Sequence, residues 1–161
     1  MKEIYLAGGC FWGVQKYFDQ FEGIEETETG YANGPTEHPT YREVCADSGH
    51  AETLRIGYDE SKISLKEILE AYFLVIDPLS VNRQGHDEGI QYRTGIYYTE
   101  AEQLNEIRPV YDAEQKKAGA PLAVELKPLE NFYPAEEYHQ KYLDKNPGGY
   151  CHIPREMMQK R

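Results

Sequence analysis

Cysteine is scarce in this sequence, and its scarcity argues against one large class of small proteins. The 161 residues include three cysteines, Cys10, Cys45 and Cys151. Secreted domains that depend on disulfides are dense in cysteine and usually carry an even number. An odd and sparse set predicts reduced thiols in a cytoplasmic protein, with redox or nucleophilic work for one or two of them.

Long hydrophobic runs and excess positive charge are also missing. No run approaches the roughly 20 apolar residues of a membrane span. The apolar stretch before Cys10 is far shorter than the roughly 7–15 residues of a signal-peptide core. The formal net charge is −11, so phosphates of nucleic acids or anionic lipids would be repelled. We expect a cytoplasmic protein with no nucleic-acid and no membrane partner.

Patterns that hold metals or cofactors are absent too. The sequence has no Gly-x-Gly-x-x-Gly run and no phosphate-binding loop. Its histidines and cysteines show no pair at zinc-finger spacing. His50-Ala51-Glu52 begins the zinc deaminase signature, but the Cys-x-x-Cys that should follow is lacking. We therefore expect no metal and no bound cofactor.

Predicted strands and helices alternate along the chain. Apolar periodicity and turn residues predict strands over 3–7, 24–32, 51–58, 93–98 and 122–126. Helices are predicted over 11–21, 64–76, 100–117 and 134–143, with a helical turn over 41–45. Ser64 and Glu67 form a predicted capping box, and Pro109 is expected to kink or split its helix.

The order of these elements predicts the fold class. A β-α-β-β-α-β series followed by α-β-α is typical of an α+β protein, here a ferredoxin-like plait with added helices, a strand and an irregular C-terminal tail. Residues 78–92 are predicted to form a long polar loop. The length predicts a single domain over 1–161, with the tail at 146–161, and a monomer is our default expectation.

The strongest chemical signal is Gly9-Cys10-Phe11-Trp12-Gly13, where a strand turns into a helix. A helix N-terminus favours the reactive thiolate form of cysteine. The flanking glycines let the backbone bend and a substrate approach, and the two aromatics offer a wall for a small apolar group. A buried structural cysteine beside core aromatics fits the same pattern, and position alone leaves both interpretations open.

Three further segments carry groups that fit this chemistry. Glu52 could donate a proton if apolar surroundings keep it neutral, although a surface glutamate at a strand end is the simpler alternative. Asp87 and Tyr92 could contact a ligand or belong to a solvated loop. Cys151 stands in a glycine-containing segment that could bring it to another cysteine, or it is an ordinary thiol near the end. Tyr41 indicates nothing by itself.

The Gly9–Gly13 segment closely resembles the signature of the peptide methionine sulfoxide reductase A family, which reduces the S epimer of methionine sulfoxide. Other segments resemble later parts of that family in the same order: 30–32, 39–45, 49–52, 82–93 and 134–142. The resemblance spans nearly the whole chain. Departures from the usual pattern occur at Ile76, His86, Asn33-Gly34 and the short segment 45–49, around the loop of Asp87 and the rim of the expected pocket.

The resemblance implies a role for each candidate. Cys10 would attack the sulfoxide and become a sulfenic acid, while Phe11 and Trp12 hold the substrate methyl. Glu52 would protonate the sulfoxide oxygen, which the phenols of Tyr41 and Tyr92 bind with support from Asp87.

The resemblance also implies how the enzyme is recycled and what it serves. Cys151 would resolve the sulfenic acid as a Cys10–Cys151 disulfide, and thioredoxin would reduce that disulfide. Cys45 is expected to be structural. The substrates would be oxidised proteins and free methionine sulfoxide, so the function would be repair of oxidative damage.

Two other readings of these residues stay open. A thiol peroxidase would share Cys10 and Cys151 without needing the methyl pocket of Phe11 and Trp12. A module that binds methionine peptides or senses redox state would bind a ligand without turnover.

Overall fold

The computed structural model describes residues 1–46, 48–149, 152–154 and 157. The strands of its main sheet are β1 (Lys2–Gly8), β2 (Ile24–Ala32), β3 (Ala51–Tyr58), β6 (Thr94–Tyr98), β7 (Glu125–Pro128) and β8 (Phe132–Pro134). A separate two-residue hairpin pairs β4 (Arg83–Gln84) with β5 (Asp87–Glu88).

The main sheet is mixed and runs in the order β7-β6-β1-β3-β2-β8. Neighbouring strands are antiparallel except β6 and β7, which are parallel. The helices are α1 (Phe11–Asp19), α2 (Tyr41–Cys45), α3 (Leu65–Phe73), α4 (Leu104–Ala118) and α5 (Tyr142–Lys145). Short 3-10 turns occupy Ile90–Tyr92, Ala101–Gln103 and Glu137–His139. The protein is therefore an α+β fold, as predicted. None of the helices in the described ranges is long and apolar enough to cross a membrane.

Strand β1 shows why the sheet lies at the centre of the core. Its side chains alternate between the two faces, as the pleat of a strand requires. Ile4 and Leu6 join the main apolar cluster with residues of α1, α3 and α4. Tyr5 and Ala7 join a second, smaller cluster. Strand β1 is buried on both sides, and Gly9 in the turn that follows it is buried as well.

Three local predictions about helices have different outcomes. The predicted capping box is present, since Glu67 N donates to Ser64 Oγ over 3.1 Å and Ser64 N donates to Glu67 Oε1 over 3.1 Å. Helix α3 then ends at Phe73, three residues before the predicted end. Helix α4 continues through Pro109, so of the two predicted alternatives, a kink or a split, the split is wrong.

The predicted helix over 134–143 is wrong. Pro134 closes β8, a 3-10 turn follows, and α5 begins only at Tyr142. This segment bonds to strand β2 instead, because the backbone Ala135 N donates to Thr29 O over 2.9 Å and the side-chain Nε2 of Gln140 donates to the same oxygen over 3.0 Å. Strand β7 is also displaced from its predicted position, to Glu125–Pro128, where it pairs with β6.

Candidate active site

Cys10 lies at the junction of β1 and α1, where the sequence predicts it. It is the N-cap residue of α1 and is 7% exposed. Gly9 before it adopts φ +85°, and a Cβ there would lie 2.7 Å from Cβ of Gln84. A side chain at position 9 would therefore be strained and would collide with the loop. The thiol is thus held at a helix N-terminus, which favours its ionised form.

Glu52 lies beside this junction on β3 and is 1% exposed. Its Oε1 accepts a hydrogen bond from Phe11 N over 3.1 Å. Its Oε2 has no hydrogen-bond partner among the described residues. Burial raises the pKa of this carboxyl to about 8, and the charge of Asp87 adds to that rise against the lowering effect of Phe11 N–H. At neutral pH the group is mainly protonated. Its Oε1 is held by Phe11 N–H, and its Oε2 has no hydrogen-bond partner in the ranges that the structure describes.

Two phenols from different elements lie close enough to the same carboxyl to feel its charge. Tyr41 begins α2, and Tyr92 ends the 3-10 turn that follows the β4–β5 hairpin. Burial, and next to it the charge of Glu52, raises the pKa of both phenols above the ordinary value. Both therefore remain hydrogen-bond donors throughout the physiological pH range. Tyr41 hydroxyl is hydrogen-bonded to the exposed Cys45 one turn later in α2.

Asp87 enters the site from the β4–β5 hairpin. Burial raises its pKa, while nearby His86 lowers it, and its Oδ2 is buried with no hydrogen-bond partner in the described part of the chain. The buried side chain of Gln84 fixes this loop, since it accepts from Asp77 N over 2.8 Å and donates to Asp77 O over 2.9 Å. Sequence reasoning missed Gln84, which packs on Gly9 and links the loop to the turn before Cys10.

An aromatic wall stands next to the thiol. Trp12 stacks on Tyr142 with ring centroids 3.8 Å apart, and its Nε1 donates to His139 Nδ1 over 2.9 Å. The imidazole also packs against Phe11, at 5.3 Å between ring centroids, and Tyr41, at 4.4 Å. Burial lowers the pKa of His139, which keeps Nδ1 free to accept the indole proton. Sequence reasoning left His139 and Tyr142 without a role.

The segment that carries His139 is pinned on both sides. Glu136 accepts a hydrogen bond from Tyr31 hydroxyl over 2.7 Å and from Tyr41 N over 3.0 Å. Lys141 N donates to Gln15 Oε1 over 2.7 Å, which joins the segment to α1. These bonds cross more than 90 residues of sequence, so no local pattern could have indicated them.

Comparison with known proteins places this arrangement in a family. The family model described as peptide methionine sulfoxide reductase matches residues 2–161. The chain belongs to this family. The peptide methionine sulfoxide reductase MsrA of Clostridium acetobutylicum is 58% identical over 161 residues, which are 99% of each chain. This chain is accordingly an MsrA-type oxidoreductase.

Solved structures extend the likeness of this MsrA-type chain to three dimensions. The crystal structure of Mxr1 from Saccharomyces cerevisiae in reduced form matches it with a TM-score of 0.90 and 38% identity, covering 95% of this chain and 91% of Mxr1. Mxr1 in complex with Trx2 matches with a TM-score of 0.62 and 26% identity, covering 88% of this chain and 84% of Mxr1.

The C-terminal tail of this MsrA-type chain returns to the same junction. Cys151, the predicted resolving cysteine, lies outside the described residues. His152 is described, and its Cε1 lies 3.3 Å from the position that a Cβ on Gly9 would occupy. Ile153 is buried in the main core, and Gln20 Nε2 donates to Met157 O over 2.7 Å. His152 therefore lies beside Gly9, the residue before Cys10, while Ile153 and Met157 contact other parts of the body of the protein.

Proposed function

We propose that this MsrA-type enzyme reduces the S epimer of methionine sulfoxide to methionine, in proteins and as the free amino acid, and so repairs oxidative damage in the cytoplasm. One observation carries the proposal. The buried Glu52 is anchored through one oxygen to Phe11 N–H, directly after Cys10, and its other oxygen has no partner among the described residues. A neutral acid is thereby held next to a cysteine at a helix N-terminus.

The first step transfers oxygen from the substrate sulfur to the sulfur of Cys10. The thiolate attacks the sulfoxide sulfur while Glu52 gives a proton to the sulfoxide oxygen, which avoids the expulsion of a bare oxide. A bond forms between the two sulfur atoms, the S–O bond of the substrate breaks, and the protonated oxygen leaves as hydroxide. This hydroxide then attacks the sulfur of Cys10, the bond between the two sulfur atoms breaks, and methionine leaves. Cys10 becomes a sulfenic acid, so the substrate sulfur is reduced and the cysteine sulfur is oxidised.

The surroundings of Cys10 offer different contacts to the groups of the chiral sulfur. Phe11 and Trp12 form the apolar wall against which the substrate methyl packs. Tyr41, Tyr92 and Glu52 donate hydrogen bonds to the oxygen, and Asp87 supports that polar side. A sulfoxide of the opposite configuration would have to exchange its methyl and oxygen, which would bury a polar oxygen against aromatic rings.

The second step returns Cys10 to its reduced form. Cys151 attacks the sulfenic acid sulfur, a Cys10–Cys151 disulfide forms and water leaves. A thioredoxin dithiol then reduces the disulfide by thiol exchange. The position of His152 beside Gly9 supports this step, because His152 follows Cys151 in the chain. The complex between Mxr1 and Trx2 supports a thioredoxin as the reductant.

We also propose that the chain forms a single catalytic domain. The series β1-α1-β2-β3-α3-β6, with β6-β1-β3-β2 as the order in the sheet, supports the ferredoxin-like plait as the central unit. We extend the domain over residues 1–161, treat 146–161 as the tail that bears Cys151, and expect a monomer.

The proposal is tested with separated S and R epimers of N-acetylmethionine sulfoxide and dithiothreitol as the reductant. We expect N-acetylmethionine to form from the S epimer alone. Turnover of the R epimer at an equal rate would refute the selective pocket. Consumption of hydrogen peroxide without turnover of either epimer would instead indicate a thiol peroxidase, and binding without turnover would indicate a sensing module.

A further inference from the structure

Glu136 connects two tyrosines that lie far from it in sequence. One carboxylate oxygen, Oε1, accepts from Tyr31 hydroxyl over 2.7 Å, and the other, Oε2, accepts from Tyr41 N over 3.0 Å. Tyr31 lies on β2 and is fully buried, while Tyr41 is the first residue of α2. A single carboxylate thus joins the sheet to the helix that carries a phenol of the candidate site.

The charge of Glu136 suits this double contact. Burial would raise its pKa, but the hydrogen bonds from Tyr41 N–H and Tyr31 hydroxyl outweigh burial and keep the pKa below its ordinary value. The carboxylate is therefore ionised at neutral pH, with both oxygens available as acceptors. Charged acceptors make stronger hydrogen bonds than neutral ones, so the carboxylate of Glu136 holds Tyr41 N–H more strongly than an amide oxygen would.

Helix α2 is short, so its position depends on contacts with other elements of the fold. It has five residues, and its capping box is local, because it joins the N-cap residue Thr40 to Glu43 in the first turn. That box satisfies local N–H groups but does not tie α2 to the sheet. Packing of the buried Val44 in one cluster with Tyr31 does so. The bond from Tyr41 N to Glu136 does so as well, and it acts at a residue whose phenol feels the charge of Glu52. A shift of this N–H would move the Tyr41 ring with it.

We propose that Glu136 is a positioning residue for the reductase step: it fixes the backbone of Tyr41 and thereby sets the phenol at the sulfoxide oxygen. The inference rests on the proposed role of Tyr41. It assigns Glu136 no contact with the substrate and no proton transfer. Although Glu136 also helps to hold the segment of His139, we expect most of its effect on the rate to pass through the Tyr41 hydroxyl.

A double-mutant cycle tests this directly. Glu136→Gln removes the charge and one of the two acceptor oxygens, while Tyr41→Phe removes the hydroxyl. We expect Glu136→Gln to slow single-turnover methionine release from the S epimer by about tenfold, comparable to the loss of one well-placed donor. In the Tyr41→Phe background the same substitution should slow release by less than about twofold. Glu137→Gln, at the exposed neighbouring glutamate, is the matched control and should leave the rate unchanged.

Thermal unfolding of the four proteins separates positioning from general stability. Glu136→Gln should lower the melting temperature equally in both backgrounds, whereas its effect on the rate should appear mainly when the Tyr41 hydroxyl is present. The inference would be overturned if Glu136→Gln slowed the reaction by the same factor in both backgrounds. It would also be overturned if Tyr41→Phe alone reduced the substrate as fast as the wild type. If the wild-type protein failed to reduce the S epimer at all, the proposed function would fail, and this outcome is visible before any variant is made.

Discussion

Phe11 N–H donates a hydrogen bond to Glu52 Oε1 over 3.1 Å, which couples the residue after the candidate nucleophile to the buried acid on β3. The contact joins positions 41 residues apart and directs the other carboxyl oxygen into the site. Thiol and acid are therefore held by one rigid junction between a central strand and the first helix.

Glu52→Gln should slow the reductase step by about a hundredfold. The amide oxygen can still accept from Phe11 N–H, so the fold is retained, but the amide cannot give up a proton. Single-turnover release of methionine from the S epimer measures the effect, with Glu60→Gln, an exposed acid, as the control. A rate for Glu52→Gln equal to that of the wild type would remove Glu52 from proton transfer.

The pH dependence of the same step should report the raised pKa of Glu52. The wild-type single-turnover rate should fall as pH rises through about 8, where this acid loses its proton. The fall should be absent in Glu52→Gln. A fall of the same size in both proteins would assign it to another group.

Stability should depend on pH through the same carboxyl. The folded pKa of about 8 exceeds the ordinary value of 4.5, so the folded state holds a proton that the unfolded chain releases. The resulting stabilisation is fully present below about pH 4.5 and is lost as pH rises through about 8. Urea unfolding at about pH 5 and about pH 9 should show wild type losing more stability than Glu52→Gln between these values. An equal loss would contradict the assigned pKa.

The two proposed redox cysteines should act in different steps. Cys10→Ser should abolish methionine formation, because an alcohol replaces the nucleophilic thiolate. Cys151→Ser should release one equivalent of methionine per enzyme and then fail to turn over with thioredoxin. Cys45→Ser, which keeps a hydrogen-bonding group for Tyr41, serves as the control and should behave as wild type in both assays. Residual activity above a few per cent in Cys10→Ser, or normal thioredoxin turnover in Cys151→Ser, would each refute the corresponding role.

Gly9→Ala should destabilise the protein by about 1–3 kcal/mol, because the residue has φ +85° and a new Cβ would lie 2.7 Å from Gln84. Gly148→Ala is the matched control, since nothing lies within 4 Å of a Cβ at that position. Urea unfolding measures both variants. Equal stabilities of the two variants would show that the turn before Cys10 tolerates a side chain.

Much of the local structure follows from neighbouring residues. The capping box at Ser64, the alternation of β1 and the strand-to-helix turn at Cys10 depend on interactions within a few residues, so sequence patterns predict them. The family resemblance also brought Cys10, Phe11, Trp12 and Glu52 forward as one group. The local features, unlike that grouping, are decided by backbone preferences and side-chain periodicity, which act along the chain.

Tertiary structure decided the features that depend on burial and distant partners. The neutral state of Glu52 arises because the sheet and α1 exclude water from it, and no single residue nearby in sequence causes this. The segment 134–143 was predicted to be helical, yet its hydrogen bonds go to Thr29, Tyr31 and Tyr41. Its amino acids determine what it can bond to, but only the folded sheet edge supplies partners that compete with a helix.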